Sequence, residues 1–329
     1  MFVLTMLAAT LAIPGTVNVT PLSGGDNVVA AQPAPREPQT NQTVQVTKGA
    51  RLRLENFAGE VVVRTWARDS VQINARHDPR VKVAITPSPA VLSIQSRSSG
   101  RGSVDYEITT PQWMPLSISG TYNFITVEGA QSDVSAETTR GDITIKGGTG
   151  AVVAKSIEGQ VVIEGARGRV TASSVNERVR ITDTSGDITV DTTNGDITLT
   201  QIKSSSAAVT TVNGDIRFDG QPAPSGRYRM TTHNGDIIVV MPETSNATFT
   251  IRTYQGDFGS TLKVTGPPRA EARLGRRQTY TLGSGSAEFE IETFGGAIRL
   301  RAPTAAPAAK GKDEKAKPPK DQGPPPVER

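Results

Sequence analysis

Thr192-Thr193-Asn194-Gly195-Asp196-Ile197-Thr198-Leu199 reads as one tight turn followed by one short strand, and the chain repeats it. The same pattern returns as Gly141-Asp142-Ile143-Thr144-Ile145, Gly159-Gln160-Val161-Val162-Ile163, Gly186-Asp187-Ile188-Thr189-Val190 and Gly214-Asp215-Ile216-Arg217-Phe218. Glycines at 141, 150, 159, 168, 186 and 195 are separated by nine residues or a multiple of nine. Glu177 holds the register where a glycine is missing, in Glu177-Arg178-Val179-Arg180-Ile181. Later copies are Gly235-Asp236-Ile237, Gly256-Asp257-Phe258 and the degenerate Gly296-Ala297-Ile298. A Thr or Ser stands three residues before alternate anchors, at Thr138, Ser156, Thr192, Thr211 and Thr232. The unit is therefore 18 residues from 141 to 195, then 19, then 21.

Period-two alternation places Ile143 and Ile145 on one side of a strand and Thr144 on the other. Nine residues accommodate one short strand and one turn, with the glycine expected to supply a positive φ or a bulge. One unit buries a single apolar row and cannot fold alone; stacking joins the rows into one core. The pattern predicts an all-β chain, a β-solenoid with about two short strands per coil of 18–21 residues. Ile143, Val161, Val179, Ile197, Ile216 and Ile237 would then form one ladder. Antiparallel meanders in a two-sheet sandwich give the same alternation, so strand pairing and handedness stay open at this level.

The 329 residues divide by composition. Phe2 to Ile13 is an apolar run too short to span a bilayer, and Val29-Ala30-Ala31 offers small residues for cleavage. Residues 1–31 read as a signal peptide, although no Lys or Arg precedes Arg36. Residues 32–42 read as a linker and 43–301 as the β-repeat domain, with 43–120 a less regular cap and 121–301 the repeats. Residues 302–329, rich in Pro and Lys, lack the apolar surface to offset ordering and read as a disordered tail. No internal segment is long and apolar enough to be a transmembrane helix.

The chain has no cysteine, which excludes disulfides and thiolate metal sites, and only two histidines, His77 and His233. Net charge is +4, and aromatic residues are 5% of the chain, which argues against base-stacking on nucleic acid. Nucleotide-binding and nucleophile-elbow motifs are missing. Between 43 and 101 ten Lys and Arg face four acids, and Arg269, Arg273, Arg276 and Arg277 form a second basic group. These read first as a solvated face of strand-edge charges that block aggregation, and otherwise suit anionic envelope polymers or phospholipid headgroups.

Asn56-Phe57-Ala58-Gly59-Glu60-Val61, Trp66, Ala75-Arg76-His77, Val104-Asp105-Tyr106-Glu107-Ile108 and Pro115-Leu116 follow one another in an order that resembles a bacterial family. Gly283-Ser284-Gly285-Ser286-Ala287 and Thr293-Phe294-Gly295-Gly296 resemble its closing segment. That family is the β-strand-repeat "putative adhesin" family of unknown function, and the likeness covers about 43–301. The resemblance implies an exported, envelope-associated protein without assigned catalytic residues.

Stacked coils would place Asp142, Asp196, Asp215, Asp236 and Asp257 on one edge, about 4.8 Å apart. Such an edge would either take calcium or be satisfied by backbone N–H groups within each turn. No other cofactor is indicated, and no catalytic set is assigned. Outward Thr144, Arg180, Thr198 and Arg217 are the candidate binding face. The first reading is a non-enzymatic adhesin-like or scaffolding module at the envelope, meeting a polymer, a surface glycan or a protein. The alternatives are a carbohydrate-active β-helix enzyme using the stacked Asp residues and a regulatory partner in envelope-stress sensing.

Overall fold

The computed structural model describes residues 39–98, 102–267 and 275–303. The expected signal segment and nearly all of the expected tail lie outside them. The first seven strands are β1 (Gln39–Gln45), β2 (Arg51–Trp66), β3 (Ser70–His77), β4 (Val81–Pro87), β5 (Val91–Ser98), β6 (Val104–Pro111) and β7 (Leu116–Ala130). Six follow as β8 (Val134–Arg140), β9 (Ile143–Gly147), β10 (Val152–Glu158), β11 (Val161–Glu164), β12 (Val170–Ser174) and β13 (Val179–Thr182). Then come β14 (Ile188–Thr192), β15 (Ile197–Ile202), β16 (Ser206–Asn213), β17 (Ile216–Gly220), β18 (Arg227–Asn234) and β19 (Ile237–Val240). The last are β20 (Ala247–Thr253), β21 (Phe258–Ser260), β22 (Gln278–Leu282), β23 (Ala287–Thr293) and β24 (Ile298–Arg301).

From β8 to β17 each strand pairs in parallel with the strand two places along, one coil away. Two stacks result. The first runs β4-β5-β2-β7-β8-β10-β12-β14-β16-β18-β23-β20-β22. The second runs β1-β3-β6-β2-β7-β9-β11-β13-β15-β17-β19-β24-β21. β2 and β7, 16 and 15 residues long, pass through both stacks. The fold is the expected solenoid, and parallel pairing decides against the meander.

The predicted ladder forms as one row: Ile143, Val161, Val179, Ile197, Ile216 and Ile237 are register partners and none is exposed. Alanines 136, 154 and 172 line the facing stack in the middle. Towards the end of the chain the core residues become aromatic. Tyr228 stacks on Phe289 with ring centres 4.4 Å apart, and Phe218 meets both edge-on. The Tyr228 hydroxyl donates to the Ser204 carbonyl (2.5 Å) and accepts from the Ala223 N–H (2.8 Å), so its polar end is satisfied inside.

Three features depart from the sequence reading. Residues 39–42, expected as linker, are the start of β1, which pairs antiparallel with β3 from Gln39↔Arg76 onward. A cap ending at 120 falls inside β7, because that strand runs on into the repeats. Coil order is also not chain order. The β2 coil lies between the β5–β6 coil and β7, and the β23–β24 coil lies between β18–β19 and β20–β21. Antiparallel β1, β3 and β4 at one end and β22 at the other cover strands that would otherwise expose unpaired backbone.

The anchor glycines serve a purpose different from the one expected. Among the turn anchors of the type repeat only Gly141 has a positive φ. A Cβ on Gly159 would lie 2.0 Å from the Gly141 carbonyl oxygen, and one on Gly235 2.0 Å from that of Gly214. Successive coils approach so closely at this corner that a side chain has no room.

Gly159→Ala is therefore expected to lower stability by about 1–3 kcal/mol through overpacking against backbone. Gly165→Ala, at φ +68 with nothing within 4 Å of the added methyl, should lose only the left-handed backbone cost of about 1–2 kcal/mol. Thermal melts of the two variants check the ordering; a Gly159→Ala protein melting like the parent would contradict the close-approach account.

Candidate functional site

The five predicted aspartates do share one edge, and their carboxylates are used between coils. Asp142 Oδ1 accepts the Gln160 N–H (2.8 Å), Asp196 Oδ1 that of Asp215 (2.9 Å), and Asp215 Oδ1 that of Asp236 (2.8 Å). Asp236 Oδ1 accepts the Ala297 N–H at 2.8 Å, which continues the chain of bonds into the out-of-order coil. Asp257 binds Arg299 instead, at 2.9 Å. The expectation that each Asp closes its own turn is corrected: its partner is the equivalent residue one strand spacing away, within reach of a short side chain. Asp105 and Asp133 repeat the device, on the Glu60 and Ala151 N–H groups. Among the described residues no three His, Asp or Glu converge as a metal cluster.

Beside the aspartates runs a second ladder. The recurrent Thr or Ser before each anchor is buried, and its hydroxyl donates to a corner carbonyl of a neighbouring coil. Ser156 reaches Gly141 O (3.1 Å), Ser174 Gly159 O (3.0 Å), Thr232 Gly214 O (3.0 Å) and Thr293 Gly235 O (3.0 Å). A third ladder was not recognised in the sequence. Asn194 Nδ2 donates to Asn176 Oδ1 (3.1 Å), Asn213 to Asn194 and Asn234 to Asn213 (both 2.8 Å). Its signal was present as Asn before Gly in successive copies, read only as turn chemistry. Arg140-Gly141-Asp142, which spells an attachment tripeptide, is held in the same way: Arg140 pairs with Glu158 and Asp142 bonds the next coil.

The second stack brings all four predicted binding residues into one outward row. The register reads Thr126, Thr144, Val162, Arg180, Thr198, Arg217, Ile238, Arg299. Arg180 and Arg217 are exposed, and Thr144 and Thr198 half-buried. Arg217 lies 3.6 Å from Asp219, whereas Arg180 has no ion pair or hydrogen bond among the described residues. Next to this row Glu128 meets Lys146 at 3.0 Å and Arg64 at 3.6 Å. The Lys146 hydrogen bond, with its charge, holds the Glu128 carboxyl below its ordinary range, and Glu128 in turn raises Lys146.

On the first stack Arg227, Arg229, Arg277, Glu288, Glu290 and Thr250 line an open groove of about 600 Å³. Its arginines are paired, Arg229 with Glu290 at 2.7 Å and Arg277 with the same carboxylate at 3.1 Å. Arg277 comes from the second basic group; Arg269 and Arg273 lie outside the described residues. Neither histidine faces a metal-like cluster. His77 bonds Thr40 and the Asp78 carbonyl at 3.0 Å each, tying down β1, and His233 stacks on Phe294 at 4.7 Å.

Parallel coils on two faces, cross-linked at one corner by Asp, Thr/Ser and Asn ladders, define a β-solenoid of the repeat class. The model of the Toastrack DUF4097 family matches residues 69–301, and the chain belongs to that family. The adhesin-like β-repeat resemblance read from the sequence holds. Among solved structures, a "putative cell adhesion protein" from Clostridium sporogenes is 9% identical, covers 81% of this chain and 100% of its own, and has a TM-score of 0.23. A "putative adhesin" from Parabacteroides distasonis is 11% identical over 81% of this chain and 98% of its own, with a TM-score of 0.28. No curated protein matches the chain.

Asp215→Ala strands the Asp236 N–H and should lower stability by about 1 kcal/mol, while Asp215→Asn keeps an acceptor oxygen and should stay close to the parent. Chemical denaturation of both separates this inter-coil bond from a metal role, in which Asn would be the worse tolerated. The Glu128 pair predicts acid sensitivity. A lowered carboxyl contributes stability that is full above pH 4.5, its ordinary value, and is lost as the pH falls through the folded value. The melting difference between parent and Glu128→Gln should therefore shrink in acid; a constant difference down to strongly acidic pH would refute it.

Proposed function

We propose that this protein is a non-enzymatic binding module of the cell envelope, exported by its N-terminal apolar segment. It presents the outward row of the second stack to an anionic envelope polymer. The observation that carries the proposal is Arg180, exposed and unpaired among the described residues, in a row with Arg217, Thr144 and Thr198. An unpaired guanidinium on a rigid strand offers five donors to carboxylates or phosphates at no cost in breaking an existing pair. Two coils separate Arg180 from Arg217, so these cations lie about 9.6 Å apart along a straight track. A long polymer meets several such positions at once, and weak contacts add through effective concentration. The carboxylates of the Asp edge are occupied in holding coils together, which supports a binding rather than a hydrolytic reading.

The test is retention of the mature protein on immobilised polygalacturonate, with neutral dextran as the control. Arg180→Glu combined with Arg217→Glu is expected to elute at clearly lower salt than the parent, with an unchanged melting temperature, because both side chains face solvent. Equal elution of parent and variant would remove this row as the binding face.

A further inference from the structure

The large apolar side chains that face water are not scattered. Phe57, Tyr122, Phe124, Ile157, Val175, Val212 and Phe294 are each 38–58% exposed, and they are the large hydrophobics so placed among the described residues. All seven lie on the corner that carries the Asp, Thr/Ser and Asn ladders. Ile157, Val175, Val212 and Phe294 occupy the position just after the buried Thr or Ser, together with Thr193, His233 and Tyr254. Coil-to-coil bonds confirm the row: Asn176 N–H to Ile157 O (3.1 Å), Asn194 N–H to Val175 O (2.7 Å), Gly295 N–H to His233 O (2.8 Å), Gln255 N–H to Phe294 O (2.9 Å). The solenoid does not need apolar residues there. The turn is held by the Thr or Ser before and the Asn and Gly after, and Thr193 shows that a polar residue fits. A strip of exposed apolar side chains gathered on one corner, interrupted by Thr139 and Thr193, marks an interaction site.

We infer that this strip docks a basic amphipathic helix of a partner protein. Three observations choose that occupant. First, the backbone of the corner is spent on coil-to-coil bonds, so a partner cannot add as a β-strand and must be held by side chains. Second, the rings stack along the solenoid axis: His233 on Phe294 at 4.7 Å and 10°, and Phe294 beside Tyr254 at 5.3 Å. The His233 and Phe294 faces cover one another, which leaves neither free for the flat face of a sugar and suits aliphatic side chains. The coil spacing of about 4.8 Å is close to the 5.4 Å pitch of a helix, so one helical turn meets one coil over several coils. Third, the row flanking the strip carries Asp142, Asp196, Asp215 and Asp236, each positioned by an inter-coil bond, against the single cation Arg178 between them. Cations on the partner's polar shoulders would complement that row. A second copy laid ridge to ridge would bring its own aspartates to the same strip.

The probes are three synthetic peptides: a Leu/Lys peptide with helical period, a Leu/Glu peptide of the same period, and a Leu/Lys peptide of strict alternation. The chain is basic overall, with net charge +4, so retention of a cationic peptide must come from a local surface. Fluorescence anisotropy is expected to show the helical Leu/Lys peptide binding at least tenfold tighter than the other two, weakening with salt. Val175→Ser with Val212→Ser should abolish that preference while leaving the melting temperature unchanged, since neither side chain is in the core. Asp215→Asn should reduce the salt-dependent part. Equal binding of the Leu/Glu peptide, equal binding of the alternating peptide, or unchanged binding by the double variant would each overturn the inference. So would concentration-dependent self-association of the parent that the double variant loses, since the occupant would then be another copy. None of these results bears on polymer retention through Arg180, which lies on a different surface.

Discussion

Everything in this molecule depends on how closely one coil lies on the next at its corners. The strand spacing of about 4.8 Å is set by backbone hydrogen bonding, and the corner must follow it without the help of a regular ladder. Glycine at the anchor lets the carbonyl of one coil approach the α-carbon of the next; a methyl group there would sit about 2 Å from an oxygen. The carbonyl brought in accepts the hydroxyl of a buried Thr or Ser, and the N–H beyond it is taken by an Asp carboxylate. Buried corner groups left unpaired would each cost about 1–3 kcal/mol. The repeat is thus a solution to hydrogen-bond accounting at a turn, as much as a pattern of apolar residues.

The ends of such a stack are its weak points. A solenoid that simply stopped would present open strands to any other chain. Here the chain reverses strand direction, with β1, β3 and β4 covering both stacks at one end and β22 covering the first stack at the other. It also returns late coils to inner positions. The aromatic layer of Tyr228, Phe289 and Phe249 fills the core where the β23 coil is inserted between β18 and β20.

The arrangement has a functional consequence. Because the core and the corner ladders hold the coils, the outward rows are left facing solvent. Arg180, Arg217, Thr144 and Thr198 on one face and Ile157, Val175, Val212 and Phe294 on one edge are positions of this kind. A stack offers each such position at a fixed pitch, so affinity can build along a line and not in a pocket. This is the physical content of reading the protein as a binding module.

The sequence by itself determined the repeat, its 18-residue period, the alternation and hence the apolar ladder from Ile143 to Ile237, because those depend on neighbours within a few residues. It also placed the five aspartates on one edge and four outward residues on one row, since register follows directly from the period. Tertiary structure alone decided what those residues touch. The Asp partners lie 18 to 61 residues away, in the adjoining coil, and no local rule names them. Likewise the Asn ladder, the insertion of β2 and of β23–β24 between other coils, and the gathering of exposed apolar side chains on one corner arise only when coils are stacked. Sequence periodicity specifies what each coil presents; the order in which the coils lie on one another specifies what it meets.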